Sequence, residues 1–118
     1  MHDGQEVDLK GPEIVIPDSQ ITSIALILHE WATNSAKYGA LAVKDGRIGV
    51  SWTCKDGALS IDWGETGTTQ SEEGEAGFGS NLIDGTARQL HAEVSGTRTD
   101  TGYCRRLQFE LADAPDLA

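Results

Sequence analysis

The first pattern along the chain is an alternation of apolar and polar positions. Val7 and Leu9 alternate with polar neighbours, and Ile14 and Ile16 resume beyond the turn-forming run Lys10-Gly11-Pro12-Glu13. A period of two predicts strands, and the intervening Gly-Pro pair predicts a hairpin. Pro17 closes that hairpin, after which Asp18 or Ser19 can N-cap a helix. Ile21, Ile24, Ala25, Leu28, Ala32 and Ala36 then recur at helical spacing, with Lys37 in the last turn and Gly39 as the stop. Alternation returns through Ile48, Val50, Trp52 and Cys54 and again through Leu59, Ile61 and Trp63, joined by the hairpin turn Asp56-Gly57. From Thr66 to Ala76 the periodicity dissolves into Gly, Thr, Ser and Glu, which predicts a loop. A second helix is expected from about Ser80, with Leu82, Ile83, Thr86, Ala87 and Leu90 facing inward. Two last strands, Glu93–Thr99 and Tyr103–Leu111, are joined by Asp100-Thr101-Gly102, and the tail Ala112–Ala118 is expected to fray.

The predicted order is β-β-α-β-β-loop-α-β-β. Strands that come in hairpins build a mixed, largely antiparallel sheet, and two helices on one face of it make an α/β two-layer sandwich. At 118 residues the chain fits a single domain. Composition narrows its partners: 9 basic against 19 acidic residues give a formal net charge of -10, which excludes a duplex nucleic acid or an anionic membrane surface as the main partner. No apolar run approaches a membrane span, and Met1-His2-Asp3-Gly4 has no signal-peptide pattern, so a cytoplasmic location is expected. Cys54 and Cys104 have no metal-ligand spacing and are expected to be small buried hydrophobes in a reducing compartment. His2, His29 and His91 are scattered, so no zinc site is expected.

Three polar segments carry the candidate chemistry. Glu30, Asn34 and Lys37 lie at i, i+4 and i+7 on the first helix, on one stripe of about 60° of arc. An amide oxygen suits Mg²⁺, a carboxylate can orient a water or a nucleophile, and an ammonium neutralises phosphate. The plainer reading of such a stripe is a solvated helix face. Gly77-Phe78-Gly79-Ser80-Asn81-Leu82 enters the second helix, where glycines allow close backbone approach and helix N–H groups receive an anion. It also reads as a turn that needs glycine for geometry. Asp62-Trp63-Gly64-Glu65-Thr66-Gly67 ends a strand with an acid that could accept from an exocyclic amine, or simply with a polar turn.

Taken together, the segments resemble the N, G1 and G2 boxes of the Bergerat ATP-binding fold. The run Leu28-His29-Glu30-Trp31-Ala32-Thr33-Asn34-Ser35-Ala36-Lys37-Tyr38-Gly39-Ala40-Leu41 is similar to the N box of the HWE family of sensor histidine kinases. That family is named for a His in this box and a later Trp-x-Glu, here His29 and Trp63-Gly64-Glu65. The resemblance spans about Leu9 to Leu111 and implies one catalytic ATP-binding domain over residues 1–118, part of a longer kinase, with residues 66–76 as the ATP lid. It implies Asn34 as the Mg²⁺ ligand and Glu30 as the catalytic carboxylate beside it. Lys37 and Tyr38 would contact phosphate or ribose, Glu65 the adenine amine, and Gly67 the adenine face. Gly77, Phe78, Gly79, Ser80 and Leu82 would shape the phosphate end. The acceptor histidine would lie on a separate dimerisation domain, with a response regulator downstream, and His29 would serve structure or orientation. Trp31 departs from the family's smaller aliphatic residue, and Gly102-Tyr103-Cys104 replaces a Gly-Thr pair. Two other readings of the same fold are a docking module without nucleotide and a serine kinase of the anti-sigma-factor type.

Overall fold

Strand pairing decides which side chains meet the helices. The computed structural model describes residues 6–67 and 81–112, the side chains of Glu6 and Asn81 excepted. In chain order the elements are β1 (Glu6–Lys10), α1 (Asp18–Tyr38), a 3-10 turn (Ala40–Ala42), β2 (Arg47–Lys55), β3 (Ala58–Thr66), α2 (Asn81–Leu90), β4 (Glu93–Thr99) and β5 (Gly102–Glu110). The described strands form a five-stranded sheet in the order β1-β2-β3-β5-β4. β1 runs parallel to β2, and every other neighbouring pair is antiparallel. Ile24, Ile27 and Trp31 of α1 and Ile83 and Leu90 of α2 share one core cluster with the inner face of the sheet. This is the mixed, mostly antiparallel two-layer sandwich that the alternation predicts.

The register sets inner-facing residues in rows across the sheet. Ile48, Glu65 and Tyr103 make one row, Val50, Trp63 and Arg105 the next, and Trp52, Ile61 and Leu107 a third. The tight β2–β3 turn works because Asp56 and Gly57 both adopt positive φ, 53° and 84°, as a twist-matched two-residue turn requires. Two rows are therefore apolar or aromatic at their centres, while the row nearest the end of α1 carries a carboxylate.

Four expectations are corrected. Ile14 and Ile16 do not form a strand: the chain after β1 crosses over the core, where both pack as partly buried side chains. Pro12 and Pro17 have no N–H to give a ladder, and the Pro12 carbonyl instead accepts from Trp52 Nε1 at 2.7 Å. Neither Asp18 nor Ser19 is the N-cap; that position is Pro17, with no side-chain cap bond. The buried stripe of α1 is Gln20, Ile24, Ile27, Trp31, Asn34 and Ser35, rotated from the expected one, so Ile21, Ala25 and Ala36 are exposed. The rotation follows from polar residues that have inside partners: Gln20 Nε2 donates to the Glu110 carbonyl, and its Oε1 accepts from Ala112 N. Cys54 is half-buried on the inner face, but Cys104 is exposed on the outer one, because β5 places it at the opposite parity from Tyr103 and Arg105.

The rotated stripe has a direct test. Ile27 is 1% exposed and Ile21 49% exposed. Ile27→Ala is expected to cost about 2–5 kcal/mol of unfolding free energy, and Ile21→Ala less than about 1 kcal/mol, in urea titrations of each variant. Equal losses would contradict this packing.

Candidate functional site

The site is built at the C-terminal end of α1. The helix stops at Gly39, whose N–H still reaches the Ser35 carbonyl at 2.9 Å. Glycine is required there for space rather than for dihedral freedom. A Cβ at Gly39 would fall onto Glu65 Oε1 and within 2.9 Å of the Tyr103 hydroxyl. Beyond it the chain turns sharply, and Ala40 donates its backbone N–H to Glu65 Oε1 at 2.8 Å.

Glu65 lies on β3 and is 1% exposed. Its Oε1 also accepts from Ser35 Oγ at 2.9 Å. Oε2 accepts from Trp63 Nε1 at 2.7 Å and from Arg105 Nη1 at 3.3 Å. Ser35 relays the contact onward by accepting from Leu41 N at 3.1 Å. Arg105 is 1% exposed, and its guanidinium lies 4.4 Å from the centre of the Tyr103 ring, a cation–π contact. Below the corner, Trp31 and Trp63 meet edge to face at 5.8 Å, so the large residue in α1 is accommodated by an aromatic partner.

The polar stripe of α1 is graded rather than uniformly solvated. Asn34 is 6% exposed, and its Nδ2 is buried with no hydrogen-bond partner among the described residues. Glu30 is half-buried, while His29, Lys37 and Tyr38 are exposed. Gly67, at the end of β3, has φ +80°, and a Cβ there would lie 2.6 Å from the Asp45 carbonyl oxygen. Leu82 is exposed at the start of α2. Gly77, Phe78, Gly79 and Ser80, with residues 68–76 of the expected lid, lie outside the described residues. On the outer face of the sheet, Arg106 donates to Asp62 at 2.6 Å. That hydrogen bond, and then the Asp62 charge, raises the Arg106 pKa. Both side chains are well exposed, so the pair belongs to the surface rather than to the site.

No family model matches the chain. Among characterised proteins it is 39% identical over 94 residues to the blue-light-activated histidine kinase 1 of Erythrobacter litoralis, covering 76% of this chain and 26% of that protein. It is 34% identical over 106 residues to the blue-light-activated histidine kinase of Rhizobium johnstonii, covering 86% of this chain and 31% of that protein. The chain is a homologue of histidine kinases. It spans between a quarter and a third of the length of these two relatives. Its fold is that of their catalytic domains, the Bergerat type. The Erythrobacter litoralis EL346 blue-light-activated histidine kinase superposes with a TM-score of 0.77 at 20% identity, over 92% of this chain and 36% of that one. The catalytic domain of histidine kinase ThkA gives 0.67 at 10% identity, over 92% of this chain and 80% of that one.

For this histidine-kinase homologue, sequence reasoning missed Arg105 and Ser35. Arg105 was findable: Tyr103, Arg105, Leu107 and Phe109 share one parity of a period-two strand, which places the arginine inside and demands a partner. Ser35 follows Asn34 by about 100° on the helix, and nothing in its spacing singles it out.

Tyr103 carries a consequence of this packing. Burial, more than any other cause, pushes its pKa from 10.0 up to about 12, with Arg105 opposing and Glu65 adding to the rise. The folded state thus keeps the phenol proton where the unfolded chain has lost it, so stability falls as pH rises from about 10 towards 12. Tyr103→Phe removes this dependence. Denaturant titrations between about pH 10 and 11 are expected to show the wild type losing roughly 1 kcal/mol more than the variant. Parallel losses would contradict it.

Proposed function

We propose that the chain binds Mg²⁺·ATP and supplies the γ-phosphoryl group to a histidine on a separate dimerisation domain of the same kinase, within a two-component signalling pathway of the HWE type. A response regulator takes the phosphoryl group onward, and the location is cytoplasmic. Two findings support the kinase class, the homology to histidine kinases and the shared fold. Among the described residues no helix is long and apolar enough to cross a membrane.

The observation that carries the reading is Asn34. A side-chain amide 6% exposed, with its nitrogen unpartnered, is costly in a helix that could have placed an apolar residue there. Such an amide fits a site whose ligand completes it. Asn34 would hold the cation through its oxygen, as hard divalent ions prefer. Glu30, one turn earlier and half-buried, would orient a cation-bound water or the acceptor. Lys37 and Tyr38, exposed on the last turn of α1, would meet phosphate and ribose. Gly67, Leu82 and the Gly77-Phe78-Gly79-Ser80 run would complete the enclosure by resemblance. When bound, the cation neutralises phosphate charge; the chain's own work is positioning, which supplies much of the catalysis in phosphoryl transfer. Residues 66–76 would serve as the lid.

The net charge of -10 makes the cation indispensable in this reading, since the triphosphate would otherwise meet an acidic protein. Calorimetric titration of the wild-type chain is expected to show ATP binding that EDTA abolishes. Asn34→Ala is expected to lose that binding while keeping the wild-type circular dichroism spectrum. ATP binding unchanged in Asn34→Ala would remove the site assignment, and no binding by the wild type would favour the docking-module reading.

A further inference from the structure

An ionised carboxylate has about four lone-pair acceptor sites, two on each oxygen. Glu65 fills all four within the protein: Ser35 Oγ and Ala40 N on one oxygen, Trp63 Nε1 and Arg105 Nη1 on the other. A purine amine would have to displace one of these buried donors and leave it unsatisfied. The donors come from α1, from the turn after it, from β3 and from β5, so the same carboxylate ties together every element that meets at this corner.

We propose that Glu65 and Arg105 form an internal latch that holds the C-terminal corner of α1 against β3 and β5, with Arg105 as a positioning residue of the nucleotide site and Glu65 engaged by protein donors instead of the base. The inference rests on the nucleotide reading above, and it changes the role that resemblance gives to Glu65. Asn34 precedes Ser35 on the helix and Lys37 lies two residues beyond it, so the orientation of both depends on the hold on Ser35 and Ala40. Ion pairs this deeply buried add little net stability over an apolar pair, but removing one partner leaves the other charge stranded. They serve to select one arrangement among many, here the angle at which α1 ends. Gly39 belongs to the same device, because any side chain there would push Glu65 Oε1 away from its donors.

The test separates a latch from a base-reading group. ATP and inosine triphosphate, which lacks the exocyclic amine, are titrated with Mg²⁺ into the wild type, Glu65→Gln, Arg105→Met and Arg105→Lys. The latch predicts wild-type affinities for the two nucleotides within about threefold of each other, because a hydrogen bond from the amine to a carboxylate would be worth roughly 10- to 100-fold. It also predicts that Glu65→Gln and Arg105→Met weaken both nucleotides by the same factor, with partial recovery in Arg105→Lys. A wild-type preference for ATP of that size, lost in Glu65→Gln alone, would overturn the proposal. Thermal unfolding decides independently of nucleotide. Each of Glu65→Gln and Arg105→Met should lower Tm by roughly 10 °C or more, and Glu65→Gln/Arg105→Met by less than the sum of its single variants. Strictly additive losses would overturn it. A wild-type chain that binds neither nucleotide counts against the nucleotide reading, and the unfolding data then decide the latch.

Discussion

A single buried carboxylate organises the end of the domain where its chemistry is expected. Glu65 sits between Ile48 and Tyr103 in a row of residues across the sheet. A charge in that place is tolerable only with donors aimed at it from several directions. Satisfying it requires α1 to end where it does, the chain to turn at Gly39, and Ser35 to face inward. Those demands reach back along the helix, because a face that buries Ser35 and Asn34 must also bury Ile27 and Trp31. The aromatic contact between Trp31 and Trp63 then fills the space beneath the corner.

The same constraint explains why the polar stripe of α1 is unlike a solvated face. Rotation towards the sheet takes Asn34 inside while leaving Lys37 and Tyr38 at the surface. An amide in the interior beside cationic and hydroxyl groups at the rim gives a gradient from buried to exposed along little more than one turn. In the proposed site, that arrangement would grip the nucleotide by its charged end and exclude water around the Asn34 amide. Local chemistry of this kind would also reconcile an acidic domain with the anionic ligand proposed for it, since the net charge of -10 is an average over the whole surface.

Much of the architecture was legible because period-two alternation and turn chemistry agreed. β2 and β3 follow the alternation on either side of Asp56-Gly57, and β4 and β5 fall within a residue of their expected bounds. The alternation of Ile14 and Ile16 misled because packing onto a core needs the same spacing as pairing in a sheet, and only the two prolines argue against the ladder. The inner face of α1 was misjudged for a related reason: a hydrophobicity rule discards Gln20, Asn34 and Ser35, of which Gln20 and Ser35 have hydrogen-bond partners inside and Asn34 shares their face. For the proposed site, the sequence offers candidate residues and their order, but not the partners of Glu65. Ser35, Ala40 and Arg105 are brought to it from 30, 25 and 40 positions away by tertiary packing alone.

The most direct measurement of that central claim is amide hydrogen exchange at Ala40. Ala40 begins the 3-10 turn beyond the end of α1, but its N–H takes no part in the turn's backbone bonds or in a sheet ladder, and among the described residues it donates to Glu65 Oε1. If the buried carboxylate holds the corner, Ala40 exchanges as slowly as amides in the centres of β3 and β5, through near-global unfolding. Exchange at the rate of an exposed loop amide would show that the corner opens without the rest of the fold, and would contradict the account.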